Sequence, residues 1–333
     1  MKIIVPMAGR GSRLRPHTLI TPKPLVCVAG KPIVQHLVEE IVNVCNEKVE
    51  EIAFIIGNFG KEIEENLCNI ALKLGAKPKI YYQMEPLGTA HAILCAKNSL
   101  KGNCVVAFAD TLFKAKFKLD KSKDGIIWVS KIDDPSSFGV VQLDTNNNIS
   151  AFVEKPEKFI SDLAIIGIYY FNDGEYLKEE LEYLIDNNIK EKGEYQLTNA
   201  LENMQRKGKI FSPGRVEEWL DCGNKTATIY TNQRVLVNKG SYISKKAKLE
   251  NSKIIEPCYV SGSAKIKNSV IGPYVSVGPN TVIENSKIKN TIIQGDSTIT
   301  DAQLHNSMIG THVVYQSNNT SQKVSLGDYS EVK

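Results

Sequence analysis

Little in this 333-residue chain points to a membrane, a nucleic acid or an oxidising compartment. No apolar run approaches the ~18 residues of a membrane-crossing helix. The amino terminus has one lysine and a short apolar stretch broken by Pro6, which does not fit a secretory leader. Seven cysteines are scattered without a Cys-x-x-Cys pair, and the odd count argues against a disulfide framework. Reduced thiols in a cytoplasmic protein are expected instead. No dense basic run occurs and the net charge is only +4, so neither nucleic acid nor a membrane surface is an expected partner. What remains is ordinary globular composition, with 42% hydrophobic and 23% charged residues. The length favours two domains.

The most informative stretch is Met1 to Pro32. Lys2 to Pro6 is a short, β-branched apolar run, as expected of a buried parallel strand. Ala8-Gly9-Arg10-Gly11-Ser12-Arg13 follows at once. Glycines at 9 and 11 allow a tight turn whose N–H groups can face an anion. Arg13, and Lys23 within Thr21-Pro22-Lys23-Pro24-Leu25, place two cations near that loop. Arg10, Arg15 and Lys31 read as field or surface charges.

Up to about residue 110, strands and helices alternate. Helices are expected over Ile33 to Cys45, Lys61 to Leu74 and Thr89 to Lys97. Strands are expected over Glu51 to Ile56, Lys79 to Gln83 and Cys104 to Ala109. This βαβ alternation implies a mostly parallel sheet with helices on both faces and ligands at the carboxyl ends of the strands. Arg13, Gln83 and Asp110 each follow such an end. From Gly125 the strands are denser: Ile126 to Lys131, Gly139 to Leu143, Ile149 to Glu154 and Ile165 to Phe171. Helices over Tyr176 to Asn188 and Gln196 to Lys207 follow, then strands over Ile210 to Pro213 and Val216 to Leu220.

After about Leu236 the pattern changes. An aliphatic residue recurs every five or six positions: Ile243, Leu249, Ile255, Val260, Ile266, Ile271, Val277, Ile283, Ile288, Ile293, Ile299, Leu304, Ile309 and Val314. Neither a helix nor a hairpin has that period. A triangular solenoid does, each side being one short strand whose inward aliphatic stacks on the coil below. Three sides per turn give about four coils, or roughly 20 Å at ~4.8 Å per coil. The predicted division is 1–236, 240–320 and a tail over 321–333.

The glycine loop and the Pro-Lys-Pro-Leu segment together closely resemble the signature of the sugar-1-phosphate nucleotidyltransferases (NDP-sugar pyrophosphorylases). Ala8-Gly9-Arg10-Gly11-Ser12-Arg13-Leu14-Arg15-Pro16, Thr18 and Pro22-Lys23-Pro24-Leu25 carry it, with Ser12 where threonine is usual. The loop has the shorter form, which resembles uridylyltransferases. The repeats resemble the left-handed parallel β-helix of hexapeptide proteins. The resemblance implies an α/β fold: a Rossmann-like nucleotidyltransferase domain followed by that β-helix.

It also implies Mg²⁺-dependent attack of a sugar-1-phosphate oxygen on the α-phosphorus of a nucleoside triphosphate. The nucleophile is already ionised, so charge is the obstacle. Two groups of net charge about −2 each, ~5 Å apart, repel by ~13 kcal/mol at an effective dielectric of 20. Positive charge and positioning must carry the reaction. On this resemblance Arg13 lies along the β- and γ-phosphates and Lys23 bridges the α-phosphate and the incoming phosphate. Ala8, Gly9, Gly11 and Ser12 hold the nucleotide. Asp110 and Asp221, the latter in Trp219-Leu220-Asp221-Cys222-Gly223, are the metal ligands. Gln83, Pro86, Gly88 and Thr89 match the base-reading segment, where an amide meets the imide edge of uracil or thymine. His91 reads as helix packing. Gly139, Glu154, Lys155, Gly167 and Tyr169 match the sugar-phosphate contacts, with Thr198 a further candidate.

Each residue also has a plainer reading: Asp110 as a turn cap, Asp221 as a helix N-cap, Glu154 and Lys155 as a turn-entry pair, Thr198 as a helix start. The leading substrates are dTTP and glucose-1-phosphate, with UTP and either glucose-1-phosphate or N-acetylglucosamine-1-phosphate as the alternative. Acyl transfer on the β-helix, using His305 or His312, and a non-catalytic regulatory subunit are further alternatives. A homo-oligomer is expected from the open strand edges of the solenoid.

Overall fold

The computed structural model describes residues 1–9, 11–45, 47–116, 119–318 and 320–333. Arg10, read above as a field charge, lies outside the described residues. Two compact units emerge, one of Met1–Gly9 with Leu37–Trp219, the other of Arg10–His36 with Leu220–Lys333. This grouping differs from a boundary near residue 236. The loop-bearing segment after Gly9 belongs with the carboxy-terminal half.

The elements up to residue 239 are β1 (Lys2–Pro6), β2 (Cys27–Val28), β3 (Lys31–Pro32), α1 (Ile33–Cys45), β4 (Glu51–Ile56), α2 (Lys61–Lys73), β5 (Lys77–Tyr82), α3 (Thr89–Leu94), β6 (Cys104–Ala107), β7 (Thr111–Lys114), β8 (Gly125–Lys131), β9 (Val140–Leu143), β10 (Ile149–Val153), β11 (Leu163–Phe171), α4 (Gly174–Asp186), α5 (Leu197–Arg206), β12 (Phe211–Arg215), β13 (Glu218–Asp221) and α6 (Lys225–Lys239).

In the first unit the sheet order is β10-β9-β11-β6-β1-β4-β5, with β8 joining β11 and β12. The pairs β6–β1, β1–β4 and β4–β5 are parallel, as the alternation predicts. Side chains alternate across each strand. Ile4, Ala53, Ile55 and Val106 face a core shared with Ala90, Ile93, Leu177, Leu181, Leu197 and Leu201 from α3, α4 and α5. Ile3, Ile52 and Phe54 occupy the opposite parity and are equally buried, and α2 packs on β4 and β5. Both faces are therefore covered.

The rest of the sheet is less parallel than expected. β11 runs antiparallel to β6, β8 and β9, and β9 to β10. For β9 and β10 connection length explains this: residues 144–148 can close a hairpin but cannot carry a parallel crossover. There the Asp144 carboxylate accepts from the N–H groups of Asn146 and Asn148.

In the second unit the strands after residue 241 form three parallel stacks, a β-helix. One inward column is Ile243, Val260, Val277, Ile293, Ile309 and Leu326; a second is Leu249, Ile266, Ile283, Ile299, Tyr315 and Val332. The third is Ile254, Ile271, Ile288, Leu304 and Gln322. Among the described residues two faces thus have six rungs and the third five, more than the four coils expected. The residues read as a tail, 321–333, supply the last rungs.

Three expected inward positions prove exposed. Leu249 is 43% exposed because it sits in the first rung, with no coil beneath it; Ile255 (38%) and Val314 (41%) are each one residue off the column. Ile254, Val313 and Tyr315 take their places in or against the core. One corner shows why Asn and Ser recur. Asn251, Asn268, Asn285 and Asp301 have φ of 44–51°, a region asparagine and aspartate tolerate, and their side chains bond from rung to rung. Ser252, Ser269 and Ser286 each accept the backbone N–H of the next rung.

Candidate active site

On the first unit, the site residues collect at the carboxyl edge of the parallel strands. Ala8 and Gly9 follow β1, Gln83 follows β5 and Asp110 follows β6. A Cβ built at Gly9 would meet nothing within 4 Å, so the protein's own packing does not require glycine there. Open space beside a turn is what a phosphate would need.

The segment expected to read the base is braced from below. Tyr195 N–H donates to Leu87 O and Ala90 N–H to Tyr195 O, both at 2.9 Å. A Cβ at Gly88 would lie 2.5 Å from Tyr195 O, so packing alone demands this glycine, at φ 117°. The Thr89 hydroxyl donates to Gln196 Oε1 (3.1 Å) and accepts from Leu197 N–H (2.9 Å). It caps α5, a role the sequence did not reveal. Pro86 is exposed on the same loop. Gln83 Nε2 donates to Gly88 O (3.2 Å) and meets His91 Nδ1 at 3.1 Å. Burial lowers the His91 pKa below the usual value, against a smaller opposing pull from Glu85. With Nδ1 unprotonated, the ring accepts from Gln83 Nε2 and orients its amide. His91 is more than packing.

The expected sugar-phosphate residues form a tighter group. β11 carries a bulge at Gly167 (φ 82°), where the register with β8 shifts. The Gly167 carbonyl accepts from Phe108 N–H at 2.9 Å, tying the bulge to the chain just before Asp110. Tyr169, buried beside it, has its pKa raised, first by burial and then by the charges of Glu154 and Asp110. Those three residues therefore share one electrostatic neighbourhood. A Cβ at Gly139 would stand 3.1 Å from Glu154 Oε2 and 3.8 Å from the Thr198 methyl. The Thr198 hydroxyl and Asn199 Oδ1 are buried without a hydrogen-bond partner. Buried polar atoms without partners are what a bound polyol or ordered water would satisfy.

Lys155 sits at φ 43°, an unusual conformation for a lysine, with its ammonium 3.6 Å from Glu154 Oε1. Lys192 Nζ donates to the carbonyls of Glu154 (3.5 Å) and Lys155 (3.2 Å). Nothing in its sequence neighbourhood, a run of charged residues before Gly193, distinguishes that brace.

On the second unit, Gly11 adopts φ 61°, and a Cβ there would meet the Lys23 stem at 2.8 Å. This glycine is fixed by its own turn and by Lys23. Thr18 Oγ1 donates to Gly11 O at 2.7 Å and closes the loop. Lys23 is only 7% exposed, whereas Ser12 and Arg13 are exposed. Asp221 ends β13. It is not the N-cap: Asn224 caps α6 by accepting from Ala227 N–H (3.0 Å). Asp221 Oδ1 accepts from Gly223 N–H at 2.9 Å, its carbonyl accepts from Thr231 Oγ1 at 2.7 Å, and a Cβ at Gly223 would clash with its carboxylate. The aspartate is held by its loop rather than spent on a helix.

Among the described residues no cluster of three or more His, Cys, Asp or Glu side chains surrounds one point. Mg²⁺ needs no such cage, because it takes one or two carboxylates and completes its shell with phosphate oxygens and water. Asp110 and Asp221, the expected ligands, each carry a carboxylate, the donor type it takes. In the β-helix, His305 Nδ1 meets Ser321 Oγ at 3.2 Å and His312 stacks on Tyr329. Among the described residues, no helix is long and apolar enough to cross a membrane.

Comparison with known proteins identifies the family. Residues 2–238 match the family model described as nucleotidyl transferase. A "Bifunctional protein GlmU" of Methanococcus maripaludis is 34% identical over 256 residues, covering 76% of this chain and 58% of that protein. The chain thus spans less than two thirds of that relative. The "Low-salt glycan biosynthesis nucleotidyltransferase Agl11" of Haloferax volcanii is 31% identical over 248 residues, covering 72% of this chain and 67% of that one. The Drosophila melanogaster "Mannose-1-phosphate guanylyltransferase catalytic subunit beta" is 36% identical over 181 residues, covering 51% and 48%. Two solved structures share the fold at a TM-score of 0.58. A putative glucose-1-phosphate thymidylyltransferase from Bacillus anthracis has 22% identity over 73% of this chain and 97% of its own; a UDP-glucose pyrophosphorylase bound to UDP-glucose has 23% identity over 71% and 98%. The chain belongs to the nucleotidyl transferase family.

Proposed function

We propose that the protein is a cytoplasmic, Mg²⁺-dependent sugar-1-phosphate nucleotidyltransferase acting on a pyrimidine nucleoside triphosphate, with dTTP and glucose-1-phosphate as the leading pair. The observation that supports this most directly is the family match over residues 2–238, a span that retains both cations, Arg13 and Lys23, and both carboxylates, Asp110 and Asp221. A sugar-phosphate oxygen forms a bond to the α-phosphorus, the bond from that phosphorus to the bridging oxygen breaks, and pyrophosphate leaves. Arg13 stabilises the departing pyrophosphate. Lys23 offsets the repulsion between the two phosphates. Gly9, Gly11 and Ser12 bring backbone donors to the triphosphate, and Gly139, Glu154, Lys155, Tyr169 and Thr198 receive the sugar phosphate. Bound Mg²⁺, held by Asp110 and Asp221, would neutralise phosphate charge.

The base assignment rests on Gln83. Its Nε2 is engaged by Gly88 and His91, so Oε1 is presented to a ring N–H of the imide edge that thymine and uracil share. UTP is the second reading, favoured by the short Ala8–Ser12 loop. Homo-oligomeric assembly through the β-helix belongs to the same proposal.

Pyrophosphate release with Mg²⁺ and glucose-1-phosphate, measured in parallel with dTTP, UTP, GTP, ATP and CTP, tests the assignment. Release with dTTP alone supports it. A preference for UTP moves the base and keeps the site map. A preference for GTP, in line with the name of the Drosophila relative, would overturn the role given to Gln83.

A further inference from the structure

The segment that carries Arg13 and Lys23 is anchored along the β-helix. It packs in one compact unit with Leu220–Lys333, and its attachments follow an order. A Cβ at Gly30 would overlap the Tyr259 ring in the second rung. Ala29 N–H donates to Asn232 Oδ1 (2.8 Å), which also accepts from Ser276 Oγ (2.7 Å) in the third rung. Gln294, in the fourth, pairs with Cys27 at both backbone atoms: Cys27 N–H donates to Oε1 and Nε2 donates to Cys27 O, each at 3.0 Å. In the sixth, Thr21 Oγ1 donates to Asp328 Oδ2 (3.0 Å), His17 Nε2 meets Ser325 Oγ (3.0 Å), and Gly327 lies against Pro16. Asp328 is itself fixed, since its Oδ1 accepts from Thr311 N–H at 2.8 Å. The chain thus runs lengthwise over successive rungs, and Lys23 falls between the Asp328 and Gln294 anchors.

We infer that Gln294 and Asp328 are positioning residues for nucleotidyl transfer, and that the β-helix sets where Lys23 and the Gly11 turn stand. This rests on the reading of Lys23 and Arg13 given above. A solenoid serving only assembly would not need a side-chain amide that mimics a strand partner for Cys27. Nor would it need a carboxylate shared between its last turns and Thr21. The Gln294 side chain stands beside the inward Ile293 rather than in the column, so its removal leaves the hydrophobic core intact.

The test uses the full chain with Gln294→Ala, Gln294→Glu, Asp328→Ala and the double alanine variant. Asn268→Ala is the control, because it breaks a corner ladder away from the anchors. Two properties are read: amide hydrogen exchange over residues 12–30, and kinetics against the nucleotide. Each alanine variant is expected to exchange about tenfold faster in that segment and to lose about tenfold in kcat/KM, the loss of one or two hydrogen bonds. Gln294→Glu, which keeps the acceptor for Cys27 N–H, is expected to recover part of both; Asn268→Ala is expected to lose thermal stability with normal kcat/KM. Unchanged exchange, or faster exchange with unchanged kinetics in the double variant, overturns the inference while the functional reading stands. A wild type inactive with every triphosphate overturns that reading and this inference with it.

Discussion

The two units reach order in opposite ways. In the β-helix a single rule repeats, broken by Tyr315 and Gln322 inside and Asp301 at the corner: one inward aliphatic per side, a left-handed asparagine at one corner, a serine ladder behind it. Beyond the first rung, each inward residue rests on the rung beneath. In the α/β unit nearly every contact at the site is unique. Gly88 is required by Tyr195 and Gly167 by a bulge in β11, and Gly139 stands close against Glu154. Repetition builds a rigid support, while single contacts build chemistry. Thr198 and Asn199 in the α/β unit keep buried polar atoms without partners, as do Asn290 (Oδ1) and Ser317 (Oγ) in the β-helix, where the Asn268–Asn285–Asp301 ladder bonds its side chains from rung to rung.

The sharpest test of this contrast is to alter one side chain in each unit. Asp110→Ala, in the α/β unit, is expected to lower kcat at least about a thousandfold while the chain still folds, since the proposed metal ligand acts on the reaction through its charge. Near-normal turnover would remove Asp110 from the metal site. In the β-helix, Ile283→Ala should cost about 2–4 kcal/mol of stability, because the side chain is enclosed between Ile266 and Ile299. Leu249→Ala occupies the same column at its open end and should cost well under half as much. Equal losses in denaturant melts would break the stacking account.

A third effect comes from His17. Burial lowers its pKa to about 4, against a raising pull from Asp328 and with a smaller lowering push from Lys225. A group depressed in the folded state favours folding above its unfolded value and loses that contribution as pH falls. Stability should therefore decline by up to ~3 kcal/mol between about pH 6.5 and pH 4, and His17→Gln should flatten that part of the profile. Smallest in stability is Thr198→Val. Removing a buried, unpartnered hydroxyl should shift the melting temperature by no more than a few degrees, yet raise KM for the sugar phosphate several-fold. An unchanged KM would take Thr198 out of the sugar site.

How much the sequence disclosed follows from the same contrast. Local, periodic features were legible. The strand–glycine–cation order announced the loop, and the five-to-six residue spacing announced the solenoid. The phase was not: a one-residue shift between 16- and 17-residue turns moved Val314 outward and Tyr315 inward. The last rungs were hidden because Gln322 replaces an aliphatic in its column, where it accepts from the Tyr315 hydroxyl. Long-range pairings were also out of reach. Lys192 bracing Lys155, Thr89 capping α5 and Gln294 matching Cys27 join residues 37, 108 and 267 positions apart. No local pattern encodes such pairs; only the folded chain brings them together.

The central claim is nucleotidyl transfer to a sugar phosphate, and phosphorus NMR of one mixture addresses it directly. The full chain is incubated with Mg²⁺, dTTP or UTP, and glucose-1-phosphate. The account predicts two coupled diphosphate resonances of a nucleotide sugar growing in step with free pyrophosphate, dependent on all components. Pyrophosphate or inorganic phosphate released without the sugar phosphate, or no turnover with either nucleotide, would contradict it.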